Sequence, residues 1–250
     1  MKHLVYCVLR DAQAARAVVA AGVEGSRVSL MAEDGLAAAF SLVPETCLAP
    51  SVPRAAAYAH VVQVFHETAT VLPFRYGCFL ESAGAVVELL RTRRREFRES
   101  LDELDGCVEM GVRVLLSGRD SAMCRKAVHA PNLSSARAYL ADRKAHYVRK
   151  VGDDEECAAA TEQVCQAFKE LVVKSEAETS WTDGRRLVSA FFLVPRDNVG
   201  RFHKTFRQLQ SAGCCAGRSP QGMLVTGPWP PYSFACRDGL GERPGRVSAP

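Results

Sequence analysis

No stretch of this 250-residue chain approaches the run of about 18 apolar residues that a membrane-spanning helix requires. The opening segment, MKHLVYCVLR, has one lysine and a short apolar run that Arg10 interrupts, so we expect a strand there and not a secretory signal. Familiar catalytic patterns are missing as well: the sequence contains no G-x-S-x-G, no H-E-x-x-H and no G-x-x-x-x-G-K-[ST]. These absences argue against a membrane-embedded protein and against three large classes of enzyme.

The ten cysteines form no C-x-x-C pair, and the adjacent Cys214 and Cys215 are poorly placed for one tetrahedral metal ion. Without a secretory signal, we expect free thiols in a reducing compartment, where cysteine behaves as a small buried hydrophobic residue. The sequence therefore predicts no metal site and no cofactor.

Positive charge is too sparse to indicate a nucleic-acid-binding protein. The net charge is +4 and the isoelectric point is about 8.5, whereas such domains usually exceed about 9 with clustered basic residues. The run Arg93–Arg95 lacks interleaved aromatic residues, and acidic residues follow it directly from Glu96. We interpret this run, and the basic residues from Arg201 to Arg207, as solvated helix faces, although either face remains open as a partner surface.

What the chain does contain is typical of a globular α+β protein. Hydrophobic residues make up 48% of it and charged residues 24%. Periodicity and turn signals predict a mixed order of elements. The predicted strands are His3–Arg10, Arg27–Ala32, Leu36–Val43, Phe74–Leu80, Val108–Leu116, Leu187–Val194 and Met223–Thr226, and the predicted helices are Ala12–Ala21, one beginning at Ser51, Ala83–Leu104, Leu133–Arg149, Glu155–Ser175 and one capped by Asp197.

This order predicts two α+β domains in which helices pack against antiparallel sheets. We place the first domain at residues 1–105 and the second, with extra helices, at residues 106–235. The remainder, residues 236–250, is rich in glycine, proline and arginine and is expected to be disordered. Within the strand Val108–Leu116, Glu109 alternates with apolar neighbours and is expected to face solvent.

Two segments do not look like ordinary connecting sequence. In Val71–Gly77 a proline ends a helix, and Arg75 then stands between Phe74 and Tyr76. In Gly227–Phe234, three prolines stiffen a backbone that carries three aromatic side chains. Such rigid aromatics suit anchors for a protein partner, but they suit a cap over the domain's own core equally well. The candidate partner-binding residues are Arg75, Tyr76, Trp229, Tyr232 and Phe234.

These segments also carry a resemblance to a known family. VLPFRYGCFLES, the helix after it and GCVEMGVRV resemble the corresponding elements of the GvpL/GvpF family of gas vesicle proteins, and LVTGPWPPYSF resembles the C-terminal motif of that family. The likeness covers most of residues 3–235. It implies two α+β domains, at least one of them ferredoxin-like, and a cytoplasmic, non-enzymatic protein that assists gas vesicle formation. The implied partners are the hydrophobic shell protein GvpA and other gas vesicle accessory proteins, with no nucleic acid and no membrane.

The alternative is a small-molecule-binding or enzymatic ferredoxin-like protein. It would use His60, His66 and Arg75 around a pocket. His60 and His66 are six residues apart on one predicted helix, which is not the spacing that places two imidazoles on one metal ion. A deep polar pocket that joins the three residues would favour this alternative.

Overall fold

The computed structural model describes residues 1–11, 21–116, 157–182, 185–212 and 222–235. Two sheets and their helices make up this part of the chain. The strands are β1 (Lys2–Arg10), β2 (Val28–Glu33), β3 (Leu36–Val43), β4 (Val71–Pro73), β5 (Phe79–Leu80), β6 (Cys107–Leu115), β7 (Lys174–Thr182), β8 (Arg185–Pro195) and β9 (Gly222–Trp229). The helices are α1 (Val52–Thr68), α2 (Ala83–Thr92), α3 (Arg94–Glu103), α4 (helical residues 157–168) and α5 (Val199–Ser211).

The first sheet has the strand order β2-β3-β1-β4, and β5 also pairs with β1. Every recorded pairing in it is antiparallel. Strand β1 lies in the middle, and its residues Leu4–Leu9 are all buried, which explains why this strand is a continuous apolar run instead of an alternating one. The predicted β2–β3 hairpin is confirmed: Asp34 and Gly35 have φ values of 51° and 80°, the left-handed pair that a two-residue hairpin turn requires.

The second sheet repeats this arrangement with the order β7-β8-β6-β9. Strands β6 and β8 are antiparallel, since Leu116 N donates to Arg186 O at one end and Arg196 N donates to Gly106 O at the other, each at 2.9 Å. When the strands in these two orders are numbered along the chain within each sheet, the order across both sheets is 2-3-1-4. That is the order of the ferredoxin-like fold, so the predicted α+β class with antiparallel sheets is confirmed.

Contacts along the chain group it into two compact units. The first contains Met1–Met110, Leu193–Arg196 and residues 227–235, and the second contains Gly111–Phe192 and Asp197–Thr226, in each case as far as they are described. The expected domain boundary after residue 105 falls near the end of the first continuous stretch. Two later pieces of chain, however, join the first unit. The prediction that residues 236–250 are disordered lies outside the described residues.

Each unit has its own apolar core. In the first, α1 presents Tyr58, Val61, Val62 and Phe65 at helical spacing to the buried strands. Its start was correctly predicted, because Ser51 Oγ accepts a hydrogen bond from Arg54 N at 3.4 Å. In the second unit, three phenylalanines pack together: the Phe168 ring stacks on Phe202 at 4.1 Å, and both contact Phe192.

Several predicted elements are wrong in extent. The helix expected over Ala83–Leu104 is two helices, because Arg93 leaves helical geometry (φ −104°, ψ 17°) and its Nε binds Glu96 Oε2 at 2.7 Å. The helix expected to reach Ser175 gives way to β7, which the sequence did not predict. Residues 12–20 of the predicted helix Ala12–Ala21 and the whole predicted helix Leu133–Arg149 lie outside the described residues.

Candidate functional site

The segment Gly227–Phe234 begins at the end of β9 and closes tightly on β6. A Cβ atom on Gly227 would lie 2.6 Å from the carbonyl oxygen of Glu109, and the φ of Gly227 is 110°. Both facts require glycine at this position. The peptide bond that follows, to Pro228, is cis. The chain then turns, with Tyr232 N donating to Pro230 O at 2.8 Å.

Glu109 holds this turn, and the expectation that its carboxylate faces solvent is wrong. The residue is only 6% exposed. Its Oε2 accepts from Ser233 N at 2.6 Å, and its Oε1 accepts from Ser233 Oγ at 3.0 Å. Val108, Met110, Val112 and Val114 of β6 are buried, and Ser233, which follows β9, covers Glu109 on the opposite face. A carboxylate in such a place is stabilised by the two donors that it receives.

The aromatic residues of this segment have different environments. Tyr232 packs against the core of the first unit, and its hydroxyl has no hydrogen-bond partner within the described residues. Burial raises the pKa of Tyr232 well above its usual value. Phe234 is 9% exposed, whereas Trp229 is 51% exposed. Tyr232 and Phe234 therefore cap the core, whereas Trp229 faces outward.

The other singled-out segment, Val71–Gly77, is also tied to this core. Tyr58 Oη is within hydrogen-bonding distance of three carbonyl oxygens, those of Val5 (2.8 Å), Phe74 (3.0 Å) and Tyr6 (3.2 Å). The strand predicted over Phe74–Leu80 is wrong in its first five residues, because the chain turns between β4 and β5, with Gly77 at a φ of 119°.

Within this turn Arg75 is exposed and Tyr76 is half-buried. Tyr76 Oη donates to Cys47 O at 2.6 Å, and the Tyr76 ring meets Tyr58 edge-on at 5.4 Å. Tyr76 and Tyr232 pack against the same apolar cluster. The structure thus brings the two sequence motifs together at one core, and it leaves Arg75 and Trp229 as the exposed members of the predicted set.

The residues of the enzymatic alternative do not share an environment. His60 is exposed on α1, while His66 is buried at the end of the same helix. Arg196 Nη2 donates to His66 O at 2.6 Å and lies 3.2 Å from His66 Nε2. Burial and, secondarily, the charge of Arg196 lower the pKa of His66 to about 4. In the part of the chain that was searched for them, no cluster of histidine, cysteine and acidic residues has the geometry to hold a metal ion.

Sequence reasoning missed Glu109, Ser233 and Gly227 as members of this site. Glu109 and Ser233 are 124 positions apart, and no local pattern reports such a contact. Only the glycine offered a signal, because a glycine that precedes a proline-rich aromatic segment is typical of a close backbone approach. No helix in the described ranges is both long enough and apolar enough to cross a membrane.

Comparison with known proteins agrees with the resemblance. The family described as "Gas vesicle synthesis protein GvpL/GvpF" matches residues 2–236. Gas vesicle protein F2 of Halobacterium salinarum is 27% identical over 190 residues, which is 74% of this chain and 70% of that protein. Gas vesicle protein L of a Streptomyces species is 27% identical over 253 aligned residues, covering 92% of this chain and 91% of that one.

Solved structures agree on the fold. The crystal structure of gas vesicle protein GvpF from an Anabaena species matches 97% of this chain and 99% of its own, with a TM-score of 0.75 at 17% identity. GvpF from Microcystis aeruginosa covers 94% and 99%, with a TM-score of 0.68 at 14% identity. Because the family match takes in both aromatic segments and both sheets, this chain belongs to the GvpL/GvpF family of gas vesicle synthesis proteins.

Proposed function

We propose that this chain is a non-enzymatic accessory or minor structural protein that acts in the cytoplasm and assists gas vesicle formation by binding the hydrophobic shell protein GvpA. Family membership supports the link to gas vesicles. A shell subunit that is apolar on one face would aggregate before assembly. A partner that covers part of that face would keep the subunit available for assembly.

The observation that carries this proposal is the position of Trp229. The residue is 51% exposed, although Ser233 and Phe234 are buried and Tyr232 is partly buried. The Glu109–Ser233 hydrogen bonds and the packing of Tyr232 fix the backbone on one side of it, and β9 fixes it on the other. An aromatic side chain on an immobilised backbone loses little conformational entropy on binding, which makes it an effective anchor.

Arg75 and Tyr76 are the second part of the proposed surface. The turn that carries them is anchored by the hydrogen bond from Tyr76 to Cys47. Because Tyr232 and Phe234 face the core, we do not expect them to touch the partner. We expect them to affect binding by holding the segment in its conformation.

Co-purification of GvpA with the tagged chain from cells that express both tests the proposal. We expect Trp229→Ala to reduce the recovered GvpA by about tenfold or more, since anchoring tryptophans contribute roughly 2 kcal/mol or more. Trp181→Ala is the matched control, because Trp181 is 59% exposed in the other unit. The same variants can be introduced into a strain that lacks the chain. Electron microscopy should then show fewer vesicles with Trp229→Ala than with Trp181→Ala. Equal recovery of GvpA with a folded Trp229→Ala variant would contradict the proposal.

A further inference from the structure

Helix α5 carries positive charge along its exposed side and no negative charge at all. Its thirteen residues, VGRFHKTFRQLQS, contain no aspartate or glutamate. Phe202, Phe206 and Leu209 face the core of the second unit, and the residues Arg201, Lys204 and Arg207 are exposed. The short 3₁₀ turn after α4 adds the exposed Lys169. Two elements therefore contribute cations to one surface.

These cations have no carboxylate partner among the described residues, whereas several arginines of the first unit do. Arg91 Nε binds Glu33 at 2.7 Å, and Arg95 Nε binds Glu99 at 2.7 Å. On α5, by contrast, the hydrogen bonds of Arg201 and Arg207 go to the neutral oxygens of Asn198 (3.5 Å) and His203 (3.3 Å). Among the described residues, neither these two arginines nor Lys204 or Lys169 makes an ion pair.

The unpaired charges line a groove. A cavity of about 500 Å³ separates the end of α4 from α5, and six of its lining residues are Gln166, Lys169, Glu170, Arg201, Lys204 and Gln208. A shallower hollow of about 860 Å³ shares Lys204 and Gln208 with it and continues to Arg207 and Ser211. Among the described residues that line the two, Glu170 is the one acidic residue.

The placement of Arg201 points to a role other than stability. It lies in the first turn of α5, where the helix dipole favours an anion and disfavours a cation. The 3₁₀ turn Arg196–Asn198 leads directly into α5, and Asn198 provides no side-chain cap. A bound carboxylate would offset the charge of Arg201.

We propose that this groove binds an acidic segment of a partner polypeptide, with its carboxylates on Arg201, Lys204 and Arg207. The three cations span about 9 Å along α5 at a rise of 1.5 Å per residue. About three residues of an extended peptide cover that length. Gln166 and Gln208 stand beside the cations with amide groups that match peptide N–H and C=O groups. The lining residues of the groove do not include Trp229, and the two belong to different units, so the inference does not depend on the proposed contact with GvpA.

A nucleic acid fits the groove less well. Specific duplex binding can use about 6–10 phosphate contacts, whereas the described residues give the groove four cations. A single strand would need aromatic residues on which bases stack, and none of the described lining residues is aromatic.

Fluorescence anisotropy with the full chain tests the inference. The probe is a labelled nonapeptide with four glutamates in a Gly/Ser background, and the matched peptide carries glutamines instead. We expect the chain to bind the glutamate peptide at least tenfold more tightly than the glutamine peptide. The double variant Arg201→Gln plus Lys204→Gln should lose that preference. The control Arg27→Gln plus Arg113→Gln removes the same charge from exposed positions outside the groove and should bind within about twofold of the original chain.

Circular dichroism establishes that each variant is folded, and a charge-reversed chain provides a second readout. Arg201→Glu plus Lys204→Glu should prefer a lysine version of the peptide. The inference is overturned if both double variants weaken binding equally, if the original chain does not distinguish the two peptides, or if a DNA duplex or anionic vesicles bind the groove more tightly than the glutamate peptide does.

Discussion

Glu109 shows how one buried carboxylate organises the C-terminal segment. A charged group away from water needs hydrogen-bond donors, or its burial costs several kcal/mol. Ser233 supplies two donors, one from the backbone and one from the hydroxyl. In return, Glu109 fixes the register of the turn that follows Trp229.

Replacing Glu109 should therefore reduce stability, and the loss should be larger when the new side chain has no acceptor oxygen. In Glu109→Leu both donors of Ser233 lose their acceptor while buried, and we expect the free energy of unfolding to fall by about 2–4 kcal/mol. Glu109→Gln keeps the shape and an acceptor oxygen, so the loss should be about 1 kcal/mol. Urea unfolding of the purified variants measures both values. A leucine variant as stable as the original chain, or a glutamine variant as damaged as the leucine one, would show that the carboxylate does not hold the turn.

At the scale of elements, the end of α1 is connected to the residue that follows β8. Arg196 reaches the carbonyl and the ring of His66, and its own backbone N–H binds Gly106 O at the start of β6. His66 is 3% exposed there and stays uncharged, since burial lowers its pKa to about 4. The end of α1 therefore carries a histidine, His66, that burial keeps neutral above about pH 4.

This arrangement predicts a loss of stability in acid. The unfolded chain binds a proton on His66 below about pH 6.5, and the folded chain does so only below about pH 4. Stability therefore falls as the pH drops through this window, by about 3 kcal/mol in total for this residue. Urea unfolding between pH 7 and pH 4.5 should show a shallower decline for His66→Gln than for the original chain. His60→Gln, on the exposed side of the same helix, should behave like the original chain. Identical slopes for all three would contradict the prediction.

Elements with a strong local signal could be predicted from the sequence. The Asp34–Gly35 turn and the Ser51 cap are read from adjacent residues, and both are confirmed. Strand β7 (KSEAETSWT) could not be predicted, because it is mostly exposed and polar and lacks the alternation that marks a strand. The sequence did not predict the break at Arg93, because apolar residues continue across it at helical spacing, from Leu90 to Phe97.

Only part of the candidate site could be predicted from the sequence. Its aromatic and proline-rich composition identified the two segments, since composition is a local property. Which aromatic faces solvent depends on Glu109 and on the core under α1, far away in the chain. The sequence therefore left open which of Trp229 and Tyr232 is buried, and the folded chain shows that Trp229 is exposed and that Tyr232 packs against the core.

On the scale of the whole molecule, the first unit is assembled from distant parts of the chain. It combines most of the first 110 residues with Leu193–Arg196 and with residues 227–235. The last piece contributes Tyr232 to the apolar cluster under α1 and Ser233 to Glu109. We therefore expect folding of the first unit to depend on residues from a distant part of the sequence, although its sheet order is complete without them.

Two truncations of the chain test this dependence. Removal of residues 236–250, which composition predicts to be disordered, should leave the free energy of unfolding nearly unchanged. Removal of residues 227–250 also removes the two core-facing aromatic side chains, Tyr232 and Phe234, worth about 1.5–3 kcal/mol each, a large share of a typical total of about 5–15 kcal/mol. Calorimetry should show a clearly lower melting temperature for the longer truncation only. A synthetic peptide of residues 227–235 should raise that temperature, and the same peptide with Tyr232→Ala and Phe234→Ala should not. If both truncations melt alike, the first unit is complete without its C-terminal segment, and the proposed fixing of Trp229 against it is wrong.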